Sequence, residues 1–231
     1  MTERLITPQS RMLRVGGTAG VVGPALFAVV FILQNIVRTD DDAIAEPVSA
    51  LSIGEYGWVQ RLNFVVLGVL LLAFAAALHR GIASSRFGWV GPTLLSVAGA
   101  GLFVAAAFSL ARDHSGAIYD PNFHQVGGMM FFGGTALGLI TLSRRLARDT
   151  RWRDLSRYVL GSGIVSMAGG VLVNTLAIPE AAPLHGEVGL IQRIIVLAIM
   201  FPALMALGHR LRRLEASPAL GALNSGASAT R

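Results

Sequence analysis

Six stretches of the chain carry no formal charge, and their length constrains the fold more than any other feature. They are 15–37, 62–79, 87–111, 125–143, 158–179 and 194–208. An α-helix needs about 20 residues to cross the hydrocarbon layer of a bilayer, and four of the stretches reach or nearly reach this length by themselves. The second and the sixth reach it only by extending backwards through a Gln-Arg pair. The pattern predicts an all-α membrane protein, a bundle of six transmembrane helices.

Composition excludes several other classes of protein. Hydrophobic residues make up 53% of the chain and charged residues only 14%, whereas charged residues make up about 25% of an ordinary soluble domain. All 19 basic residues are arginine, and the chain contains no cysteine. A Schiff-base lysine, a thiol nucleophile, a disulfide and a thiolate metal site are therefore excluded. The 27 glycines indicate close helix packing.

The distribution of charge predicts how the helices are oriented. The segments on one side of the predicted membrane hold 15 arginines and four acidic residues, and those on the other side hold four arginines and nine acidic residues. Cytoplasmic loops carry the excess of arginine, so both termini are predicted to be cytoplasmic and the protein to be multi-pass in the cell membrane. We expect a cytoplasmic segment at 1–14, a transmembrane domain at 15–213 and a disordered cytoplasmic tail at 214–231. Because membrane topology explains the positive charge, no nucleic acid partner is expected.

A short internal repeat opens the second and the sixth predicted helices. The pattern G-E-x-G-x-x-Q-R occurs at 54–61 and again at 186–193, and each helix that follows ends in His-Arg. The two copies lie at equivalent places in the topology, which favours a bundle built from three helical hairpins, each with an external connection.

The segment 46–64, the histidine of Phe123-His124 and the closing segment 189–193 resemble the domain-of-unknown-function 998 (DUF998) family. The resemblance covers roughly residues 16–212. It implies a prokaryotic integral membrane protein with about six helices. The resemblance carries no information on activity and assigns no catalytic residues, so the enzyme question and any cofactor stay open.

The strongest polar groups cluster in the external halves of the predicted helices, where a buried polar side chain is costly and therefore informative. A helix that begins near 185 brings four residues to one face: His185, Gly189, Gln192 and Arg193. The sequence predicts an outward-facing polar pocket for a lipid headgroup or a small anionic ligand, since an arginine suits a carboxylate or a phosphate. The candidate ligand-binding residues are Glu55, Gln60, Arg61, His124, His185, Glu187, Gln192 and Arg193.

Several alternatives stay open at this point. Arg61 and Arg193 could instead snorkel to lipid headgroups or lock the helices together through acidic loops. The external histidines and carboxylates could serve a membrane-embedded lipid-modifying enzyme, although no metal-ligand spacing supports a metal site. A small transporter is less favoured, because such proteins usually have polar residues or broken helices at the midplane. Membrane lipids are the expected partners, and a homo-oligomer or a membrane-protein partner is possible.

Overall fold

The structure, a computed structural model, describes residues 8–38, 41–178 and 181–228, with side chains for 10–38, 41–178, 181–184 and 186–214. The α-helices are α1 (Pro8–Val37), α2 (Gly57–Gly81), α3 (Val90–Ala107), α4 (His124–Leu146), α5 (Arg153–Leu172), α6 (Val188–Ile194) and α7 (Phe201–Ser228). A π-helical turn, Val173–Ala177, extends α5, and a second π-helical segment, Ile195–Met200, joins α6 to α7.

Six helices in the described residues are long and apolar enough to cross a membrane, which confirms the predicted number. The fifth of these spans is Arg153–Ala177, and the sixth, Val188–Leu214, comprises α6, the π segment and most of α7. Because α2 begins at Gly57 and α6 at Val188, both Gln-Arg pairs lie inside helices, as predicted. The short charge-free stretches reach membrane length because an arginine near a helix end is tolerated there.

The helices pack as a closed ring in the order of the sequence. Each of α1 to α4 packs against the next helix, α7 returns to α1, and the sixth span contacts the fifth mainly through its π segment. Because α2 packs on α3 as well as on α1, the packing does not separate three hairpins. That grouping stays a prediction, as does the side of the membrane on which the termini lie.

Glycines bring the helix backbones together. A Cβ built on Gly68 would lie 2.9 Å from the carbonyl oxygen of Gly99, and one built on Gly208 would lie 2.8 Å from that of Gly17. Lipid tails are as apolar as the helices, so association depends on close packing, which small residues permit. The predicted role of glycine in tight packing is therefore found at the α2–α3 and α1–α7 contacts.

The two ends of the bundle differ, and we name them by their connections. The distal end holds the α1–α2, α3–α4 and α5–α6 connections, and the proximal end holds the α2–α3 and α4–α5 connections. The interior near the proximal end is filled by side chains that are almost completely buried: Leu78, Leu95, Leu142, Leu146, Trp152, Leu207 and Leu211.

At the distal end, the α1–α2 connection lies against the beginnings of α2 and α6. It contains a 3-10 turn at Val48–Ser52. A Cβ on Gly57 would lie 2.1 Å from the carbonyl oxygen of Ser52, and a Cβ on Gly189 would lie 2.1 Å from that of Glu46. Both helices therefore need a glycine where the connection crosses them. The α3–α4 connection forms a β-hairpin of Ala111–Arg112 with Ile118–Tyr119.

At the proximal end, one buried arginine of α4 organises the α2–α3 connection. The guanidinium of Arg145 donates hydrogen bonds to four backbone carbonyls, those of His79 (2.8 Å), Ile82 (2.5 Å), Ala83 (2.8 Å) and Gly88 (2.7 Å). The buried charge is thereby surrounded by acceptors, as a buried arginine requires. Nearby, hydrogen bonds from Arg151 lower the pKa of Asp149 to about 2, so this carboxylate stays charged.

The predicted domain boundaries remain untested. Helix α7 continues to Ser228, beyond residue 213, where we expected the transmembrane domain to end. Residues 1–7 and 229–231, which belong to the predicted cytoplasmic segment and tail, lie outside the described residues.

Candidate functional site

The distal half of the bundle encloses a cavity of about 580 Å³, within the range of about 300–1,000 Å³ that is typical of ligand sites. All six spans contribute to its wall. The apolar lining includes Phe27, Phe64, Leu102, Phe131, Val173, Val188, Ile195 and Val196. The cavity thus lies where the proximal packing of leucines and Trp152 ends.

The cavity exists because α4 and α5 separate towards the distal end. Nearer the proximal end the two helices are in contact, since a Cβ on Gly163 would lie 2.9 Å from the carbonyl oxygen of Ala136. Farther along, Gly128 of α4 and Gly170 of α5 line the cavity, and a Cβ on either would meet nothing within 4 Å.

The cavity also opens sideways. Met129 of α4 and Ile178, just after the fifth span, line it although they are 57% and 37% exposed. Their exposure indicates a lateral mouth between the fourth and fifth spans, on a surface that faces the bilayer in a membrane-spanning bundle.

Both π-helical segments lie on the cavity wall. Val173 and Ala177 of the first segment and Ile195 and Val196 of the second line it. In the fifth span the N–H of Ile178 bonds to the carbonyl of Val173 at 2.8 Å, five residues back. Such segments are rare and occur frequently at functional sites, which adds to the case for this cavity as the site.

His124, a predicted site residue, is the buried polar group of the wall. It begins α4 and is only 5% exposed. Its Nδ1 lies 2.7 Å from the carbonyl oxygen of Phe108 and 3.1 Å from that of Ala105. Both oxygens lie at the C-terminal end of α3, where helical carbonyls lack intrahelical partners. The histidine therefore joins the ends of α3 and α4, and it lines the cavity.

An ion-pair network lies at the distal end of the cavity, where Glu46 and Arg112 line it. Arg112 of the β-hairpin donates two hydrogen bonds to Glu46, at 2.8 and 2.6 Å, and one to Asp41 at 3.3 Å. Arg38 makes a further ion pair with Asp41 at 2.7 Å. The hydrogen bonds to Glu46 raise the pKa of Arg112. The network holds the α1–α2 connection against the hairpin as a polar lid.

Asp120 supports the same region by capping α4. Its carboxylate accepts hydrogen bonds from the N–H groups of Asn122 (3.0 Å), His124 (3.2 Å) and Gln125 (2.7 Å). Burial alone would raise the pKa of Asp120, but these N–H groups outweigh it and lower the pKa. The carboxylate is therefore charged and fully engaged with the beginning of the helix.

The second copy of the repeat lies beside the cavity. Gln192 lines it and accepts a hydrogen bond from the N–H of Val48 at 3.3 Å. Arg193 is half-buried and donates to the carbonyl of Glu46 (2.9 Å) and to Oδ1 of Asn35 (2.8 Å). Its guanidinium links α6 to α1 and to the α1–α2 connection through an amide oxygen and a backbone carbonyl, and not through the acidic side chains that the structural alternative named. Arg193 does not line the cavity.

The first copy has different surroundings. Gln60 is completely buried and accepts hydrogen bonds from Nε2 of Gln34 (2.8 Å) and Nδ2 of Asn63 (3.3 Å). This amide cluster joins α1 to α2 next to the cavity without lining it. Arg61 is exposed and makes no hydrogen bond or ion pair with the described residues.

Two further predicted site residues lie away from the cavity wall, and the side chain of a third is not described by the structure. Glu55 and Glu187 are exposed and do not line it. The side chain of His185 lies outside the described residues. In the described part of the chain, no three His, Asp or Glu side chains are close enough together to hold a metal ion. Of the predicted set, the structure therefore brings His124 and Gln192 to the cavity.

Sequence reasoning missed four residues that shape the site. Glu46 and Arg112 form the lid, but they are 66 residues apart and lie in connections, where no periodicity reports on pairing. Gly128 and Gly170 flank the open space, yet they are indistinguishable in sequence from the glycines that pack helices together.

The six apolar spans identify the chain as a polytopic helical membrane protein. A comparison with protein families then identifies its family. The family described as "Protein of unknown function (DUF998)" matches residues 21–209, so the chain belongs to this family, which confirms the resemblance. Searches of curated proteins and of solved structures found no match.

Proposed function

We propose that this protein binds a membrane lipid, with the apolar tail in the distal cavity and the polar head near the lid. The observation that carries the proposal is the cavity of about 580 Å³, with apolar walls and a mouth between the fourth and fifth spans. A molecule dissolved in the bilayer reaches such a mouth without crossing water. With the arginine-rich end inside, the distal end faces out of the cell, so the lipid comes from the outer leaflet of the cell membrane.

The contacts of the arginines favour a lipid over a small anion. Arg112 is satisfied by Glu46 and Asp41, and Arg193 by a carbonyl and an amide oxygen. Binding a free anion would require one of these guanidinium groups to give up its partner. Arg61, Glu55 and Glu187 are accordingly assigned to the surface, where they contact water and headgroups.

Leucine substitutions that fill the cavity test the proposal. Gly128→Leu and Gly170→Leu place a side chain in the cavity, while Gly133→Leu and Gly161→Leu are matched controls. The control glycines lie on the same two helices, have no neighbour within 4 Å and do not line the cavity. Native mass spectrometry of protein purified from its host membrane measures co-purified lipid. We expect the cavity variants to bind at least about tenfold less lipid, corresponding to about 1.4 kcal/mol, and the controls to match the original protein.

Equal lipid occupancy in all four variants would contradict the proposal, as would the absence of lipid from the unsubstituted protein. Thermal unfolding of each variant in detergent shows whether it is folded. Because a Cβ at all four sites meets open space, loss of lipid from an intact cavity variant reports on the cavity itself.

A lipid-modifying enzyme is the second candidate, and His124 is the observation that favours it. A general base must reach its substrate with a free ring nitrogen, and Nδ1 of His124 is already committed to two carbonyls, which leaves Nε2. Incubation of the protein with lipid vesicles, followed by mass analysis of the lipids, tests this candidate. A new lipid species that disappears in His124→Asn supports an enzyme, and unchanged lipids support binding alone.

A further inference from the structure

Of the two ring nitrogens of His124, one has its role assigned by its neighbours. Nδ1 lies within hydrogen-bond distance of two carbonyl oxygens, at 2.7 and 3.1 Å. A carbonyl oxygen only accepts, so Nδ1 must carry the hydrogen and donate it. In the neutral ring, Nε2 then has a lone pair and accepts.

This acceptor has no partner among the described residues. Nε2 makes no hydrogen bond there, and protein atoms do not enclose it completely. Since the buried ring of His124 lines the cavity, Nε2 borders the cavity space. An acceptor in a largely apolar wall favours a ligand that brings a hydrogen-bond donor.

Gln192 adds the complementary group. Its Oε1 accepts the N–H of Val48, which leaves its Nε2 amide as a donor, and the side chain lines the same cavity. Protein atoms do not enclose Nε2 of Gln192 completely either. His124 and Gln192 therefore add an acceptor and a donor to the wall, and a hydroxyl group can both donate and accept.

The charged residues of the lining indicate a ligand without net charge. Besides His124, the ionisable acidic and basic side chains of the described lining are Glu46, Arg112 and Asp120. Glu46 and Arg112 neutralise each other, and Asp120 is occupied by three N–H groups at the beginning of α4. A phosphate in the cavity would lack a counter-charge, and desolvating it there would be costly.

We infer that the ligand is an uncharged, hydroxyl-bearing lipid of the diacylglycerol or long-chain alcohol class, whose hydroxyl is recognised by Nε2 of His124 and the amide of Gln192. This inference rests on the proposed lipid-binding function and specifies its ligand. His124 acts as a recognition residue: its Nδ1 donates to the carbonyls at the end of α3, and its Nε2 accepts the hydrogen bond of the ligand.

Competition between two matched lipids tests the inference. The protein is placed in phosphatidylcholine nanodiscs that contain equal amounts of dioleoylglycerol and its methyl ether, in which a methyl group replaces the hydroxyl hydrogen and the donor is lost. Native mass spectrometry then gives the ratio of the two bound lipids. We expect about a tenfold preference for dioleoylglycerol, the value that corresponds to about 1.4 kcal/mol and to one net hydrogen bond.

Replacement of His124 separates recognition from folding. In His124→Asn, the side-chain amide can still donate to the α3 carbonyls, but the acceptor at the position of Nε2 is gone. The preference should fall to about one, while total lipid binding persists. His114→Asn is the matched control, because His114 is exposed in the β-hairpin turn and does not line the cavity. If His124→Asn does not fold, Gln192→Leu and the unsubstituted protein supply the decisive ratios.

The outcomes distinguish the inference from the function beneath it. Lipid binding without preference for the free hydroxyl overturns the inference and leaves lipid binding intact. A preference that survives in both His124→Asn and Gln192→Leu overturns the assigned residues. Better occupancy by added phosphatidylglycerol overturns the uncharged head group. No binding of any lipid overturns the proposed function itself.

Discussion

The two copies of the G-E-x-G-x-x-Q-R pattern, at 54–61 and 186–193, share one role and differ in another. In both, the second glycine lets a backbone carbonyl of the α1–α2 connection approach the beginning of a helix, since a Cβ on Gly57 or on Gly189 would lie 2.1 Å from it. Their arginines diverge. Arg193 is half-buried and bonded to the connection and to α1, while Arg61 is exposed.

The difference follows from what lies beside each helix. Helix α2 is flanked by α1 and α3, so its inner face meets other helices and its arginine turns outward. The beginning of the sixth span borders the α1–α2 connection and the cavity, so its arginine finds carbonyl and amide acceptors there. The second glycine of the pattern thus makes a close backbone contact in both copies, but the side chains of the pattern take their roles from their neighbours.

The shared role of the glycines leads to the largest expected effect. Gly57→Ala and Gly189→Ala each force a methyl group against a backbone carbonyl, and we expect each to lower the free energy of unfolding by about 3 kcal/mol, the upper end for overpacking. Gly161→Ala is the control, because its Cβ meets open space. Thermal unfolding in detergent measures all three. If only one of the two repeat glycines tolerates alanine, the copies do not share a backbone role.

The arginines should separate the copies. Arg193→Gln removes hydrogen bonds to the Glu46 carbonyl and to Asn35, and we expect a loss of about 1–3 kcal/mol in unfolding free energy. Arg61→Gln alters an exposed side chain and should stay within about 0.5 kcal/mol. Denaturation of the purified variants side by side gives the difference. Equal losses would mean that Arg61 has a partner comparable to that of Arg193.

The glutamines should show the smallest contrast in stability. Gln60→Leu removes the acceptor of Gln34 and Asn63 within the membrane, and we expect a loss of about 1 kcal/mol, as for other hydrogen bonds between membrane helices. Gln192→Leu removes only a 3.3 Å bond to the N–H of Val48 and should cost less stability. It should nevertheless reduce lipid selectivity, which Gln60→Leu should leave unchanged. The reverse pattern would place the recognition site in the amide cluster.

The six spans were predictable from sequence because the requirement is local. A helix in a bilayer needs a sufficient number of consecutive apolar residues, and that number can be counted without knowing what the helix touches. The positions of Gln60 and Gln192 inside helices followed from the same count. The repeat also indicated correctly that α2 and the sixth span begin in similar ways.

The cavity and its residues depended on packing between distant parts of the chain. Glu46 and Arg112 meet only because the α1–α2 connection lies against the β-hairpin. His124 could be singled out as a candidate, but its donation to the end of α3 could not. The pairing of connections leaves no periodic signal, because irregular segments have no fixed side-chain spacing.

Gly127 and Gly128 show which properties of a residue the sequence determines and which ones depend on the tertiary structure. Sequence alone determined that both belong to an apolar helix that crosses the membrane, since length and hydrophobicity suffice for that. Tertiary structure alone decided that a Cβ on Gly127 would lie 2.6 Å from the carbonyl oxygen of Gly101, while one on Gly128 would meet nothing within 4 Å. Successive residues of a helix point about 100° apart, so identical neighbours in sequence face different surroundings. The arrangement of the other helices determines which one packs and which one borders the cavity.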